Sequence, residues 1–308
     1  MSSSFPGRLR DLAAQDPAVA PLALLQAEAL DPPAPGGPLA GVPVAGGQGA
    51  ESSPVAGGQG GRSAPWPTER GERRERHERP LLDGARLAVD LGALRDLLRR
   101  LGAAVPDLAA IAERLAADPL PLLRASMAQY QAGLQTLADQ HGVELAPLTV
   151  LGQVAALPLL QACGQSARDA LPGESWQHGF CPVCGAWPTL VEIRGLERQR
   201  WLRCGRCGTG WHQVNFACVF CGNDEYRSQG YLAPEAEREA RQAQTCWRCR
   251  GYLKALTTLG PLDPGELLLR DLQTLELDLA ALDQGYARPE QPAVVLDLEL
   301  EPTSAGVP

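Results

Sequence analysis

A chain of 308 residues with 36 acidic and 28 basic side chains carries a formal net charge of −8, which argues against a general binder of nucleic acid or of an anionic membrane surface, since both call for a basic excess. The length predicts about two domains at roughly 150 residues each. Only 5% of residues are aromatic while Leu and Ala are plentiful, so a helical, aliphatic core is expected. Of the basic residues only Lys254 is a lysine, which reflects a GC-rich coding sequence rather than chemistry. No run of 18 apolar residues appears. The opening MSSSFPGRLRDLAAQDP places charges where a signal peptide needs its apolar stretch, so a cytoplasmic location is expected. In that reducing compartment the nine cysteines point to metal ligands or redox groups rather than disulfides.

In chain order, Arg8 to Leu30 predicts two short helical pieces separated by Pro17 and Pro21. Residues 31–80 read as a low-complexity linker or insert. They hold a tandem eleven-residue repeat, PVAGGQGAESS at 43–53 and PVAGGQGGRSA at 54–64, and then a mixed run of Glu and Arg at 69–79 that reads as solvated linker. From Asp83, read as an N-cap, Leu87, Leu91, Leu94, Leu98 and Leu101 recur at helical spacing. Asp107 starts another helix, with Leu108, Ile111 and Leu115 on one face. One stripe running from Leu120 through Leu123, Met127, Tyr130, Leu134 and Leu137 to His141 predicts a long helix whose Met and Tyr are core. A fourth segment spans about Leu148 to Cys163, with Pro158 kinking or breaking it and Cys163 as a small buried hydrophobe. Leu267–Leu282 fits either helix or strand, and Ala293–Glu301 alternates like an edge strand.

Eight cysteines form four pairs, each with two intervening residues: Cys181/Cys184, Cys204/Cys207, Cys218/Cys221 and Cys246/Cys249. That spacing lets one tight turn aim both sulfurs at one ion, so each pair supplies half of a tetrahedral site. Gly185, Gly208 and Gly222 follow three of the pairs, where glycine easily adopts a left-handed backbone and its amide can point toward a thiolate. The simplest arrangement puts Cys181, Cys184, Cys204 and Cys207 on one ion and Cys218, Cys221, Cys246 and Cys249 on the other. An interleaved arrangement, first pair with third and second with fourth, stays open. Four thiolates suit iron, in a rubredoxin-like and redox-active centre, or zinc in a structural ribbon. Trp187, Trp201, Trp211, His212, Phe216, Phe220 and Trp247 flank the pairs, and the tryptophans are expected to shield sulfur from water. His178 and His212 are not expected to be ligands, because four sulfurs already complete each site. Arg194, Arg198, Arg200, Arg203, Arg206, Arg248 and Arg250 offset the charge of a tetrathiolate centre. No phosphate-binding loop, HExxH or GxSxG is present.

The strings FCPVCG at Phe180–Gly185, LRCGRCGTGWHQVNFACVFCGN at Leu202–Asn223 and CWRCRGYLKAL at Cys246–Leu256 resemble the FdhE family of formate dehydrogenase accessory proteins. Asp271–Pro289 and RLRDLAAQDP at Arg8–Pro17 are similar to the family's C-terminal segment and first helix. The insert and the tail after Pro289 depart from the pattern. The resemblance implies a cytoplasmic maturation factor without catalytic activity. It would act like a chaperone, binding the catalytic subunit of formate dehydrogenase, with two metal ions: iron in rubredoxin-like sites, or zinc.

The expected fold class is therefore α plus small metal modules: an N-terminal helical bundle followed by two rubredoxin-like or zinc-ribbon-like four-cysteine modules. The expected units are residues 1–30 (helical segment), 31–80 (insert), 81–175 (helical domain), 176–212 and 213–262 (first and second metal modules) and 263–308 (C-terminal segment). Trp211, His212, Arg206 and Arg203, between the second and third pairs, are of types that often anchor interfaces and are the expected partner-binding residues. No nucleic-acid partner and no membrane insertion are expected. The alternatives are a rubredoxin-like electron carrier and, with less support, a zinc-ribbon nucleic-acid binder.

Overall fold

The structure, a computed structural model, describes residues 4–31, 79–172, 176–213 and 216–303. The repeat and most of the Glu/Arg run fall outside the described residues. Two short helices open the chain, α1 (Phe5–Gln15) and α2 (Ala20–Leu30). Pro21 sits in the first turn of α2, where its missing N–H costs nothing, so it starts that helix rather than dividing the two.

The helix expected from Asp83 is a strand and a helix. Ala85–Val89 form β1, whose Leu87 and Val89 are buried while Arg86 and Ala88 face out. Asp90, not Asp83, caps α3 (Leu91–Ala104), its carboxylate accepting from the Ala93 N–H at 3.1 Å. The partner that makes β1 a strand lies at the far end of the sequence. Leu298–Pro302, as β8, pairs with it in parallel, Leu87 opposite Leu300. Asp107 lies in a 3-10 turn at Pro106–Leu108 leading into α4 (Ala109–Ala117).

The long stripe splits into α5 (Leu120–Ala128) and α6 (Gln131–His141) at Gln129, which takes a left-handed conformation (φ 58°). Met127 is fully buried, but Tyr130, at the break, is half exposed and not core. Pro158 does not break α7, which runs from Leu145 to Ser166. The proline removes one ladder bond, and burial of α7 against α2, α3, α5 and α6 outweighs that cost. Among the described residues α7 is the helix long and apolar enough to cross a membrane, yet half of its apolar stretch is buried inside the protein, as in a core helix.

The remainder is one sheet of six strands in the order β4-β3-β2-β7-β6-β5, with β2 at Leu190–Arg194, β3 at Gln199–Arg203, β4 at Gly210–His212, β5 at Gln229–Leu232, β6 at Arg241–Cys246 and β7 at Tyr252–Thr258. All neighbours are antiparallel except β2 and β7. This parallel pair carries the sheet across the boundary expected at residue 212, so the two metal modules share one sheet. Leu267–Leu282 is helical, as α8 (Pro264–Gln273) and α9 (Leu275–Asp283).

The main apolar core also ignores the expected boundary at residue 175. It runs from α2, α3, α5 and α7 directly into Cys181, Cys184, Cys204 and Cys207 and on to Leu253 of β7. Behind the sheet, Lys254 of β7 is 1% exposed. Its ammonium lies 2.6 Å from carboxylates of Asp271 on α8 and Asp278 on α9. Arg288 reaches both carboxylates, at 3.5 and 3.1 Å, and the Tyr252 hydroxyl donates to Asp278 at 2.8 Å. Burial alone would raise the Asp278 carboxyl, but Lys254, Arg288 and the Tyr252 hydroxyl together hold it below the usual range. The chain's one lysine is thus the polar rivet between sheet and C-terminal helices.

Candidate metal centres

Each cysteine pair sits on a knuckle built the same way. The first cysteine's N–H donates to a carbonyl five residues on, Cys181 to Ala186, Cys204 to Thr209, Cys218 to Asn223 and Cys246 to Gly251, at 2.8–2.9 Å. The residue after the second cysteine is left-handed in all four: Gly185 (φ 67°), Gly208 (75°), Gly222 (68°) and Arg250 (57°). The three glycine N–H groups donate to the carbonyl of the first cysteine in their pair. Arg250 occupies the same backbone region without glycine's freedom. Its guanidinium is anchored 4.1 Å from the Tyr286 ring and by the carbonyls of Gln284 and Gly285.

The sheet brings the knuckles together two by two. Sγ of Cys181 lies 3.4 Å from that of Cys207, and Cys184 lies 3.5 Å from Cys204. In the second group Cys218 lies 3.7 Å from Cys249, and Cys221 lies 3.8 Å from Cys246. Within each group all four sulfurs are within 4.8 Å of one another. A tetrahedral ion held at about 2.3 Å from each sulfur sets the sulfurs about 3.8 Å apart. Both groups fit a tetrathiolate ion, and the arrangement is the sequential one, not the interleaved one. Among the described residues these are the two groups of three or more side chains able to hold a metal. Neither includes a histidine. His212 lies against Trp201, ring centres 5.4 Å apart, and His178 stacks on Phe180 at 4.8 Å.

The two groups differ in their surroundings. All four cysteines of the first are at most 2% exposed. Gly164 of α7 packs so closely on this knuckle that a Cβ there would sit 2.1 Å from the Cys207 carbonyl oxygen. Gln129, the left-handed residue ending α5, donates its amide to the carbonyls of Cys184 and Val294. Arg206 donates to the Ser126 and Met127 carbonyls at the C-terminal end of α5 and lowers the Cys184 thiol by its charge. Burial pushes the Cys181 and Cys207 thiols well up, whereas hydrogen bonds from the other three sulfurs hold Cys184 well down. The ninth cysteine, Cys163, lies buried nearby, its thiol raised by burial to about 11. In the second group Cys246 is buried, Cys218 half-buried, and Cys221 and Cys249 exposed.

Of the expected partner-binding residues, Trp211 and Arg203 are not on the surface. Trp211 is 4% exposed and donates its indole N–H to the His178 carbonyl at 3.3 Å. Arg203 is 3% exposed and pairs with the wholly buried Glu192, which also pairs with Arg194. Arg203 further donates to the carbonyls of Leu262 (2.7 Å) and Gly208 (3.3 Å). These side chains brace the second knuckle, because a strand residue whose side chain turns inward meets the core whatever its type. Arg206 and His212 are partly exposed. Apart from Tyr130 on the helical side, the exposed aromatics among the described residues are others: Phe216, Tyr226, Tyr231 and Trp247, all around the second centre. Trp247 therefore does not shield sulfur. A groove of about 600 Å³ runs beside Cys218 and Cys246, lined by Phe216, Tyr226, Tyr231 and Arg200. Burial lowers the Arg200 guanidinium to about 10. Glu192 is the residue that sequence reading missed. Its only signal is a carboxylate between apolar neighbours in LVEIR.

No family model matches the chain. Curated relatives do, among them "Protein FdhE homolog" of Aquifex aeolicus, 35% identical over 123 residues, and that of Stutzerimonas stutzeri, 41% identical over 113. These alignments take in 38% and 35% of this chain and 42% and 36% of the relatives, so the chain spans less than half the length of the curated relatives it matches. The crystal structure of the FdhE protein from Pseudomonas aeruginosa superposes with a TM-score of 0.54 at 25% identity, over 95% of this chain and 94% of that one. A fold shared almost end to end, joined to sequence similarity over about a third of the chain, leads to one conclusion: the chain is similar to the FdhE proteins in both fold and sequence.

Proposed function

We propose that the chain is a cytoplasmic maturation factor for formate dehydrogenase, acting by binding its catalytic subunit rather than by catalysis. The helical part is read as a bundle and the knuckle pairs as rubredoxin-like centres, each with one ion held by Cys181, Cys184, Cys204 and Cys207 or by Cys218, Cys221, Cys246 and Cys249. Iron is the assigned metal and zinc the alternative. The observation carrying this reading is the pair of four-sulfur groups with tetrahedral spacing in a chain similar to the FdhE proteins. Bound there, the ion supplies folding free energy and, if iron, an electron site. The chain's own residues orient the sulfurs through the knuckle bonds and exclude water from the first centre.

The partner is received on the face of the second centre, where Phe216, Tyr226, Tyr231 and Trp247 stand exposed. Arg206 and His212 flank it, while Trp211 and Arg203 act from within by holding the knuckle. The test is anaerobic purification of the tagged chain from a host that makes formate dehydrogenase, with elemental analysis and detection of the co-purified subunit. Two ions per chain and recovery of the subunit are expected, with recovery lost in Phe216→Ala/Trp247→Ala while both ions stay. No subunit with the wild-type chain defeats the assembly reading. The second reading, an electron carrier, draws on the exposure of Cys221 and Cys249 and requires a visible absorbance that a reductant bleaches.

A further inference from the structure

Arg200 of β3 is a covered cation without a counter-ion. Burial lowers its guanidinium to about 10, and no ionised neighbour acts against that shift. Its Nε and Nη2 donate to Oε1 of Gln213, both at 3.3 Å, and its Nη1 donates to Oε1 of Gln244 at 2.8 Å. These acceptors are neutral amides, and they leave two of the five guanidinium N–H groups unengaged among the described residues. The other covered cations described above are matched: Arg203 by Glu192, Lys254 and Arg288 by Asp271 and Asp278, and Arg206 by helix carbonyls and the Cys184 thiol. The chain as a whole has acids in excess, with a net charge of −8. The missing counter-ion is therefore a local arrangement and not a shortage of carboxylates.

Arg200 lines the groove of about 600 Å³ beside the second centre, and its Cζ sits 5.6 Å from the centre of the exposed Phe216 ring. Val219, Phe220 and Leu253 give the groove an apolar wall and Gln244 a polar one. Asp224, an exposed carboxylate that also lines it, makes no ion pair with Arg200. An open groove with exposed aromatics along it suits a protein segment better than an enclosed small molecule.

We propose that this groove reads an acidic side chain of the partner: an Asp or Glu, flanked by apolar residues, whose carboxylate takes the two unengaged N–H groups of Arg200. This rests on the reading that a partner is received on the face of the second centre. The carboxylate supplies the charge that Gln213 and Gln244 lack, in a setting where a charge-assisted bond is stronger than in open water. The flanking apolar side chains cover Phe216 and meet Phe220 and Leu253. Selectivity follows from the same geometry, because an amide in the carboxylate's place leaves the cation unmatched.

The experiment titrates the full metal-loaded chain, by calorimetry, with short apolar peptides carrying one central Glu and with the same peptides carrying Gln. The Glu peptides should bind roughly 10- to 100-fold more tightly, the span of one hydrogen-bonded charge pair. Acetate, which lacks the flanks, should bind more weakly than the Glu peptides. Gln244→Glu puts a carboxylate where Oε1 already lies 2.8 Å from the guanidinium, and so fills the site from within. It should keep both ions by elemental analysis, lose the preference for Glu and recover less dehydrogenase subunit than the wild type. Arg200→Gln should do the same from the other side. Equal binding of the Glu and Gln peptides, acetate binding as tight as theirs, or unchanged subunit recovery by Gln244→Glu would overturn the acid-reading groove. Glu-selective peptide binding with no subunit recovered by the wild-type chain would instead overturn the assembly reading and leave the groove standing.

Discussion

The two four-sulfur centres are made from the same knuckle and placed in opposite settings. The first is part of the main core, with α7 against its second knuckle, the end of α5 against its first, and Arg206 between sulfur and helix carbonyls. The second stands at the far end of the sheet with two exposed cysteines and a rim of exposed aromatics. The ligand set decides that an ion binds. What surrounds the ligands decides whether that ion is a structural pin or a site open to chemistry.

Removing sulfur from each centre in turn breaks this comparison most directly. Cys181→Ser/Cys184→Ser deletes ligands inside the core, and binding at such sites contributes on the order of 10 kcal/mol to folding, comparable to the whole stability of a domain. The helical circular dichroism signal should collapse. Cys218→Ser/Cys221→Ser should lose one ion by elemental analysis while the helical melt persists. Equal collapse in both would show that the second centre also holds the core.

A smaller effect is expected from the buried ion pair beside the first centre. Arg203→Met leaves Glu192 short of a partner in a wholly buried position and should cost about 3–5 kcal/mol in denaturant unfolding. A loss below about 1 kcal/mol would mean that Arg194 alone satisfies the carboxylate.

The rivet on β7 ties the sheet to α8 and α9 and has a pH signature. The Asp278 carboxyl is depressed in the folded chain, so its contribution is present above the unfolded value near 4 and lost as pH falls through the lower folded value. Lys254→Met should lower stability at neutral pH by about 3 kcal/mol and flatten the loss that sets in as pH falls below about 4. An unchanged acid limb in thermal melts would assign that limb to other carboxylates.

The smallest effect compares equivalent glycines. Gly222→Ala meets open space and only the left-handed backbone cost, about 1–2 kcal/mol. Gly208→Ala carries the same cost and also places its methyl 2.7 Å from Pro264 at the start of α8. The melting temperature should fall further for Gly208→Ala than for Gly222→Ala, and the reverse order would contradict the tighter packing of the first centre.

Spacing in the sequence makes the four knuckles, their left-handed glycines and the simplest pairing legible, because those are local properties. Leu87 fits a helical stripe by position, and its strand partner, Leu300, lies more than two hundred residues away and sends no local signal. Tyr130 fits the apolar stripe in the same way, yet the left-handed Gln129 beside it turns the chain outward. The burial of Trp211 and Arg203 is equally hidden. Aromatic and arginine side chains anchor interfaces and brace cores alike, and only the packing of β3 and β4 against the core distinguishes the two.

The parallel pairing of β2 with β7 also imposes an order in time. All four sulfurs of the first centre precede residue 208, so they leave the ribosome together while β7 is still unmade. Roughly 60 residues separate Arg194 from Tyr252, about 3–12 s of synthesis at typical elongation rates. Through that interval β2 has one edge uncovered. A nascent chain that loads its first ion at once holds that edge in place until β7 is made and covers it. Scarcity of metal during translation would therefore leave the chain arrested with an open strand, a state prone to aggregation.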